Sequence, residues 1–482
     1  MLFNSIEFLL FFPAVVLLYY AIPGKLRVFW ILLTSYLFYM NWNPAYALLL
    51  LFSTAVTFLF GLLIGKRRTK EKAAAEAGRP IHQLSKVWVG VSFAVNLAIL
   101  FFYKYFDFTV DNINVIRGWM GLAPVTPGFD VLLPVGISFY IFQALSYVVD
   151  VYRGDVRMET NFIKYAAFVS FFPQLVAGPI ERSTNLLTQF DTPHKLEYDN
   201  VRDGLLRMVW GFFLKIVIAD RAAILVNQVF NYCNYYEGPT VLIAAVLFAF
   251  QVYGDFAGYS NIAIGAAQVM GFKLMKNFER PYLAVSVSNF WRRWHMSLGF
   301  WFRTYIYIPL GGSRCGTART ICNLLLVWLL TGIWHGAAAT FVVWGLYYGL
   351  LLILEKFVLR DVLARVPAIL RRVLTFLLVV IGWVPFFSDT LRQAGAWLAR
   401  MFSAGQAGFV DAAALYYLRT TWPVLLIAVF AALPYGCRFG NRFFRAGRTA
   451  SMVSSLYFIG LLLLCIAGMV NGTYISFLYA QF

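Results

Sequence analysis

Phe290-Trp291-Arg292-Arg293-Trp294-His295-Met296-Ser297 opens a stretch that, after an apolar interval, reaches Leu330-Thr331-Gly332-Ile333-Trp334-His335-Gly336 and runs on to Gly349. Two of the four histidines in the chain lie here, each preceded by Trp and each in sequence apolar enough to sit at membrane depth. An ionisable group at that depth is costly and marks a functional site by default. The stretch therefore reads as a reaction centre. The rest of the chain reads as helical membrane scaffolding that brings a donor and an acceptor to two imidazoles.

Outward from this stretch the chain is uniformly apolar. Of 482 residues, 61% are hydrophobic and 13% charged, with a mean hydropathy of +0.70. Soluble domains carry about 25% charged residues. The runs Ser5 to Ile22, Tyr46 to Gly65, Val87 to Phe106, Val241 to Ala257, Val373 to Phe387 and Met452 to Val470 approach or reach the roughly 20 residues that cross a hydrocarbon core as a helix. They are continuous, whereas a transmembrane β-barrel needs alternating segments. The fold class predicted is an all-α polytopic membrane protein, a single integral membrane domain over 1–482, with no fixed-period repeat and no interdomain linker.

Met1-Leu2-Phe3-Asn4 supplies no basic flank and no small-residue cleavage site follows, so the first run is expected to be a retained helix. The formal charge of +18 is spread between apolar spans instead of along one soluble face. That pattern points to the bilayer as partner and away from nucleic acid. Cys233, Cys315, Cys322, Cys437 and Cys465 form no CxxC pair, which argues against a disulfide framework or a thiolate metal site.

Lys25 and Arg27 separate the first two spans, and Lys66, Arg67, Arg68, Lys70, Lys72, Arg79 and Lys86 form a basic loop two spans later. Both belong on the cytoplasmic side, which places the amino terminus outside. The same count predicts an outer loop from Asp107 to Pro127 and a re-entrant segment from Asn161 to Ile180, broken by Pro173, Gly178 and Pro179. Interfacial or tilted helices are expected over Asp199 to Phe230. Lys356, Arg360, Arg365, Arg371 and Arg372 mark a cytoplasmic loop, Ser388 to Thr420 an outer one, and Arg438, Arg442, Arg445 and Arg448 a cytoplasmic one, leaving Asn471 to Phe482 outside.

Within this frame His335 falls near the turn of a hairpin from Ile321 to Leu354, flanked by Gly332 and Gly336, which permit close approach of a helix or a substrate. Trp291, His295, Leu298 and Phe302 repeat at i, i+4, i+7 and i+11, and Arg292, Met296, Gly299 and Arg303 form the adjacent face. Those two guanidinium groups suit phosphate, or alternatively snorkel to the interface. A neutral imidazole in a dry cavity accepts the proton of a hydroxyl nucleophile because its ordinary pKa of about 6.5 lies close to working pH. The spacing of the two histidines is no metal-ligand signature. Asp255 shares a helix face with Gln251, Gly258 and Tyr259, where it either orients a histidine or pairs with a cation for structure, the latter favoured.

Asp255-Phe256-Ala257-Gly258-Tyr259-Ser260, Phe290 to His295, Tyr305-Ile306-Tyr307-Ile308-Pro309-Leu310-Gly311-Gly312 and Thr331 to Gly336 together resemble the membrane-bound O-acyltransferase family, in its bacterial alginate O-acetyltransferase branch. Val135 to Phe139 and Phe172 to Ile180 extend the resemblance over most of the chain. It implies a many-helix fold around a central cavity, His335 as the catalytic histidine and His295 as a second active-site histidine. Trp291, Arg292, Arg303, Trp334, Asp255 and Tyr259 are the residues expected at the substrate or donor. Thr304 and Ala339 depart from the pattern, where Asp and Trp are common.

The expected activity is transfer of a short acyl group, acetyl above others, from a cytoplasmic thioester such as acetyl-coenzyme A to hydroxyls of an exported cell-envelope polysaccharide. No bound cofactor is required, and an extracytoplasmic partner would complete the transfer in a relay version. D-alanyl transfer to teichoic acid from a carrier protein, and a proton-coupled transporter or flippase, are the competing expectations.

Overall fold

The computed structural model describes residues 1–77, 83–129, 131–403, 411–433 and 447–471, and every element in them is helical. Arg79, Cys437, Arg438, Arg442, Arg445 and the 472–482 tail lie outside the described residues. Among the described residues eight helices are long and apolar enough to span a membrane: Pro44–Glu76, Leu84–Trp119, Gly238–Val269, Thr317–His335, Ala339–Phe357, Ala368–Phe387, Ala412–Ala432 and Thr449–Val470. Ile6–Ala21 is a shorter apolar helix, started by Ser5, whose side chain accepts from the Phe8 amide. The protein is thus a multi-pass membrane protein.

Apolar runs located the helices, but several predicted loops are helix. The basic residues from Lys66 to Lys72 continue the Pro44–Glu76 helix, and Asp107 and Asp111 lie within the 36-residue Leu84–Trp119 helix. At 1.5 Å per residue that helix is about 54 Å long, well beyond a core of about 30 Å, so charged turns continue the helix into water. Nothing there stops a helix until Gly118 and Gly121. Likewise Ser388 to Thr420 contains the Leu391–Met401 helix, capped by Thr390, and the start of Ala412–Ala432, capped by Asp411.

Packing divides the chain into two compact units, one of Met1–Gly204 with Ala266–Met275 and one of Leu205–Gly265 with Lys276–Phe482. In the first, the predicted broken segment is two buried helices, Phe162–Ser170 and Phe172–Leu175. The backbone groups freed by the break are satisfied by side chains, as they must be in an apolar setting. Gln143 and Gln174 donate to the Phe168 carbonyl at 2.8 and 3.1 Å, and Ser35 Oγ accepts from the Phe172 amide at 3.0 Å.

Asp199 to Phe230 lies within one helical run from Tyr198 to Asn231, widened into π-type turns over Phe213–Ala219, and from Leu205 on the run belongs to the second unit. The spans Thr317–His335, Ala339–Phe357 and Ala368–Phe387 pack in sequence. A buried aromatic cluster of Trp291, Trp294, Trp328, Trp344, Tyr348 and Trp383 joins them to the short helices around residue 290.

Candidate active site

The stretch Phe290 to Gly349 folds as short helices followed by a long hairpin, all within the second unit. Thr317–His335 and Ala339–Phe357 cross where two glycines meet. A side chain at Gly332 would collide with the Phe341 carbonyl oxygen, and one at Gly345 with the Trp328 carbonyl oxygen. This close approach holds His335, the last residue of its helix, against the aromatic walls. Its ring centroid lies 4.9 Å from Trp334, 4.9 Å from Trp344 and 5.4 Å from Phe386. Gly336 is occupied in the same way, with the Phe341 ring where a side chain would stand. At both glycines it is the hairpin's second helix that approaches.

His295 departs from the periodicity. Instead of one amphipathic helix over 291–302 there are two, Val287–Trp291 and Met296–Phe302, with His295 between them in the left-handed region at φ 44°, ψ 53°. That conformation is uncommon for a residue with a Cβ and costs on the order of 1 kcal/mol. It is held by Asn277. The Asn277 carbonyl oxygen accepts from the Met296 amide at 2.9 Å, and its side-chain oxygen lies 3.1 Å from His295 Nδ1. The same oxygen accepts from Ser297 Oγ at 2.9 Å and from the Ser297 amide at 3.3 Å. Phe256 meets the His295 ring edge-on at 4.7 Å, and Trp334 stands 6.0 Å away. His295 lies between two spans, and burial pushes its pKa down to about 3. Trp334 contacts both imidazoles, so residues forty apart in sequence share one neighbour.

A cavity of about 960 Å³ opens beside His295. Its buried end is formed by Trp294, His295 and Thr331, and its exposed end by Arg292, Arg303, Ser313 and Lys356. Lys356 donates to Ser313 Oγ at 3.0 Å, and Tyr307, within a second π-type segment, shares a 2.7 Å hydrogen bond with the same oxygen. Trp291 also lines the cavity, and its buried Nε1 has no hydrogen-bond acceptor among the described residues. A basic mouth leading to a dry aromatic floor with an indole donor and an imidazole suits a ligand with an anionic end and a carbonyl-bearing chain.

The predicted residues separate into three groups. Trp291, Arg292, His295 and Arg303 line the cavity. His335 and Trp334 lie behind it, the lining reaching Thr331, one helical turn before His335. Asp255 and Tyr259 turn to Lys215, whose Nζ is 2.6 Å from Asp255, 2.8 Å from Asp220 and 6.0 Å from the Tyr259 ring centre. Burial opposes the charge on Lys215, and the two carboxylates outweigh it, so its pKa rises. Sequence reasoning missed Asn277, which no motif marks. It counted Lys356 only as a topological signpost, although a cation in the last turn of an apolar span was the available clue.

Comparison with known proteins bears on what this geometry does. The model of the MBOAT, membrane-bound O-acyltransferase family matches residues 153–383. "Probable alginate O-acetylase AlgI" of Pseudomonas syringae pv. tomato is 40% identical over 454 residues, covering 93% of this chain and 85% of the relative. The peptidoglycan O-acetyltransferase of Helicobacter pylori is 32% identical over 76% of this chain and 72% of its own length. The teichoic acid D-alanyltransferase of Bacillus subtilis is 27% identical over 48% of this chain and 62% of its own length.

Proposed function

The chain belongs to the membrane-bound O-acyltransferase family and is an O-acyltransferase, and from that premise we propose that it passes an acetyl group from a cytoplasmic thioester to hydroxyls of an exported cell-envelope polysaccharide. The observation that carries this reading is the cavity with a basic mouth and His295 at its buried end. Arg292, Arg303 and Lys356 suit the phosphates of a coenzyme A or phosphopantetheine thioester, and Trp291 Nε1 suits a carbonyl oxygen on its chain. The Pseudomonas syringae and Helicobacter pylori relatives, which align over 93% and 76% of this chain, are both named for O-acetyl transfer, which supports acetyl over D-alanyl.

In the proposed reaction the acceptor hydroxyl loses its proton to His335 as its oxygen attacks the thioester carbonyl. The carbon–sulfur bond breaks, and the departing thiolate takes up the proton. In this reading His295 serves the donor through the cavity, and His335 serves the acceptor. Either the polysaccharide or an extracytoplasmic partner that relays the acetyl group supplies the hydroxyl. The bacterial relatives support a place in the cytoplasmic membrane, and the charge pattern supports both termini outside.

Membranes given labelled acetyl-coenzyme A test the reading. Wild-type protein is expected to move label into polysaccharide, and His335→Ala, at equal expression, to lower transfer by at least about 10²-fold, the scale of a lost general base. Unaltered polysaccharide acetylation in His335→Ala would overturn it.

A further inference from the structure

The hydrogen bonds around Asn277 contain information that the histidine motif does not. The Ser297 backbone amide can only donate, and it points at the Asn277 side-chain atom that His295 Nδ1 also faces, at 3.3 and 3.1 Å respectively. That atom is therefore the amide oxygen. The orientation is corroborated on the other side, where Asn277 Nδ2 donates to Ser260 Oγ at 3.2 Å, and by Ser297 Oγ, which donates to the same oxygen at 2.9 Å. An amide oxygen cannot donate, so His295 Nδ1 must carry its hydrogen. In a neutral imidazole the basic lone pair then sits on Nε2.

We infer that Asn277 is a positioning residue that fixes His295 in the Nδ1–H tautomer, so that His295 acts on the donor as a hydrogen-bond and proton acceptor through Nε2 and not as an oxyanion donor. The inference rests on the proposed acyl transfer for its catalytic consequence, while the tautomer itself follows from geometry alone. Three features support it. Asn277 is 1% exposed and lies outside the cavity lining, as does Ser260, so neither contacts a ligand there. The Asn277 carbonyl also holds the Met296 amide, which couples the left-handed turn at His295 to the same residue. Burial keeps His295 neutral, the form in which one nitrogen accepts. Stabilisation of the negative charge that develops on the thioester oxygen must then come from another donor, and Trp291 Nε1–H is the group in the cavity suited to it.

The test uses nitrogen NMR of full-length protein labelled with ¹⁵N-histidine, since four histidines give few signals and a His295→Gln spectrum assigns the one concerned. Wild type is expected to show protonated Nδ1 and unprotonated Nε2 at His295. Asn277→Leu is expected to move that signal toward the Nε2–H form and to lower kcat for labelled acetyl transfer by about 10- to 100-fold, with KM for the thioester little changed, as loss of an orienting partner does. Asn277→Asp keeps an acceptor at the same place. It should retain the wild-type tautomer and most of the activity, with the acid limb of the pH profile moved to higher pH because a carboxylate raises the imidazole's affinity for protons. Should Asn277→Leu fail to fold, the Asn277→Asp tautomer and pH profile decide. Nε2-protonated His295 in wild type, or Asn277→Asp with an unmoved pH profile, would overturn the inference. Absence of acetyl transfer by wild type would instead sink the functional proposal and leave the NMR result standing.

Discussion

His295 and Arg303 illustrate how much of the site is a matter of single residues. The histidine was visible because an imidazole in apolar sequence is expensive, yet its role depends on Asn277, which looks in sequence like any polar loop residue. Arg292 and Arg303 were visible as a pair on one helical face. They do flank one cavity, although the helix breaks between them at His295. A guanidinium that holds a phosphate contributes about 1.5–3 kcal/mol. Arg303→Ala is therefore expected to raise KM for a coenzyme A thioester by about tenfold or more while leaving kcat near its original value, since the contact is made equally in ground and transition states. Steady-state kinetics in detergent would show it. An unchanged KM in both Arg303→Ala and Arg292→Ala would detach the basic mouth from donor binding.

At the scale of elements, the site is set by a helix crossing. Gly332 and Gly345 let Thr317–His335 and Ala339–Phe357 approach with backbone in contact, and His335 keeps its place among Trp334, Trp344 and Phe386 only while they do. Gly345→Val forces the helices apart, and overpacking of this kind costs about 1–3 kcal/mol. The expected result is a lowered Tm together with a loss of transfer larger than stability explains, and binding of the thioester retained, because the cavity is lined chiefly by other residues. Wild-type turnover in Gly345→Val would mean that His335 tolerates displacement. The hairpin itself was legible, with its turn beside His335, because continuous apolar runs bounded by basic clusters have one simple reading. Helix ends were not, since charged residues on an exposed face continue a helix as well as they start a loop. Nor was the break at His295. A left-handed turn usually announces itself with glycine, and here a histidine adopts it under hydrogen bonds to one residue, Asn277, that lies outside the local pattern.

For the whole molecule, the charge pattern sets a membrane orientation that labelling can test. The charge pattern places the basic Lys66 to Lys86 region in the cytoplasm and the amino terminus outside, and this requires both Ile6–Ala21 and Arg27–Met40 to cross the membrane. Arg27–Met40 has 14 residues and so spans about 21 Å, short of the roughly 30 Å hydrocarbon core, and it is not among the helices long enough to cross unaided. It buries Ile31, Thr34, Ser35, Phe38 and Tyr39 against its own unit, with Tyr39 donating to the Val135 carbonyl at 3.0 Å, so surrounding helices rather than lipid can cover much of its surface. Local thinning of the bilayer would accommodate the remaining deficit. The two possibilities differ at one place. Pro44–Glu76 keeps Trp42 opposite Lys70 in either case, so if Arg27–Met40 crosses, Lys25 lies in the cytoplasm, and if it does not, Lys25 lies outside with Trp42. Single-cysteine variants Lys25→Cys, Lys70→Cys, Ala123→Cys and Arg360→Cys, in a chain with its native cysteines replaced, are expected to give labelling by a membrane-impermeant maleimide on intact cells at 123 but not at 25, 70 or 360. Labelling at 25 as well as at 123 would remove the amino-terminal assignment. Labelling at 70 would reverse the orientation read for the first unit, and labelling at 360, close to Lys356 in sequence, would turn the Arg292, Arg303 and Lys356 end outward and exclude a cytoplasmic thioester as the ligand of that cavity.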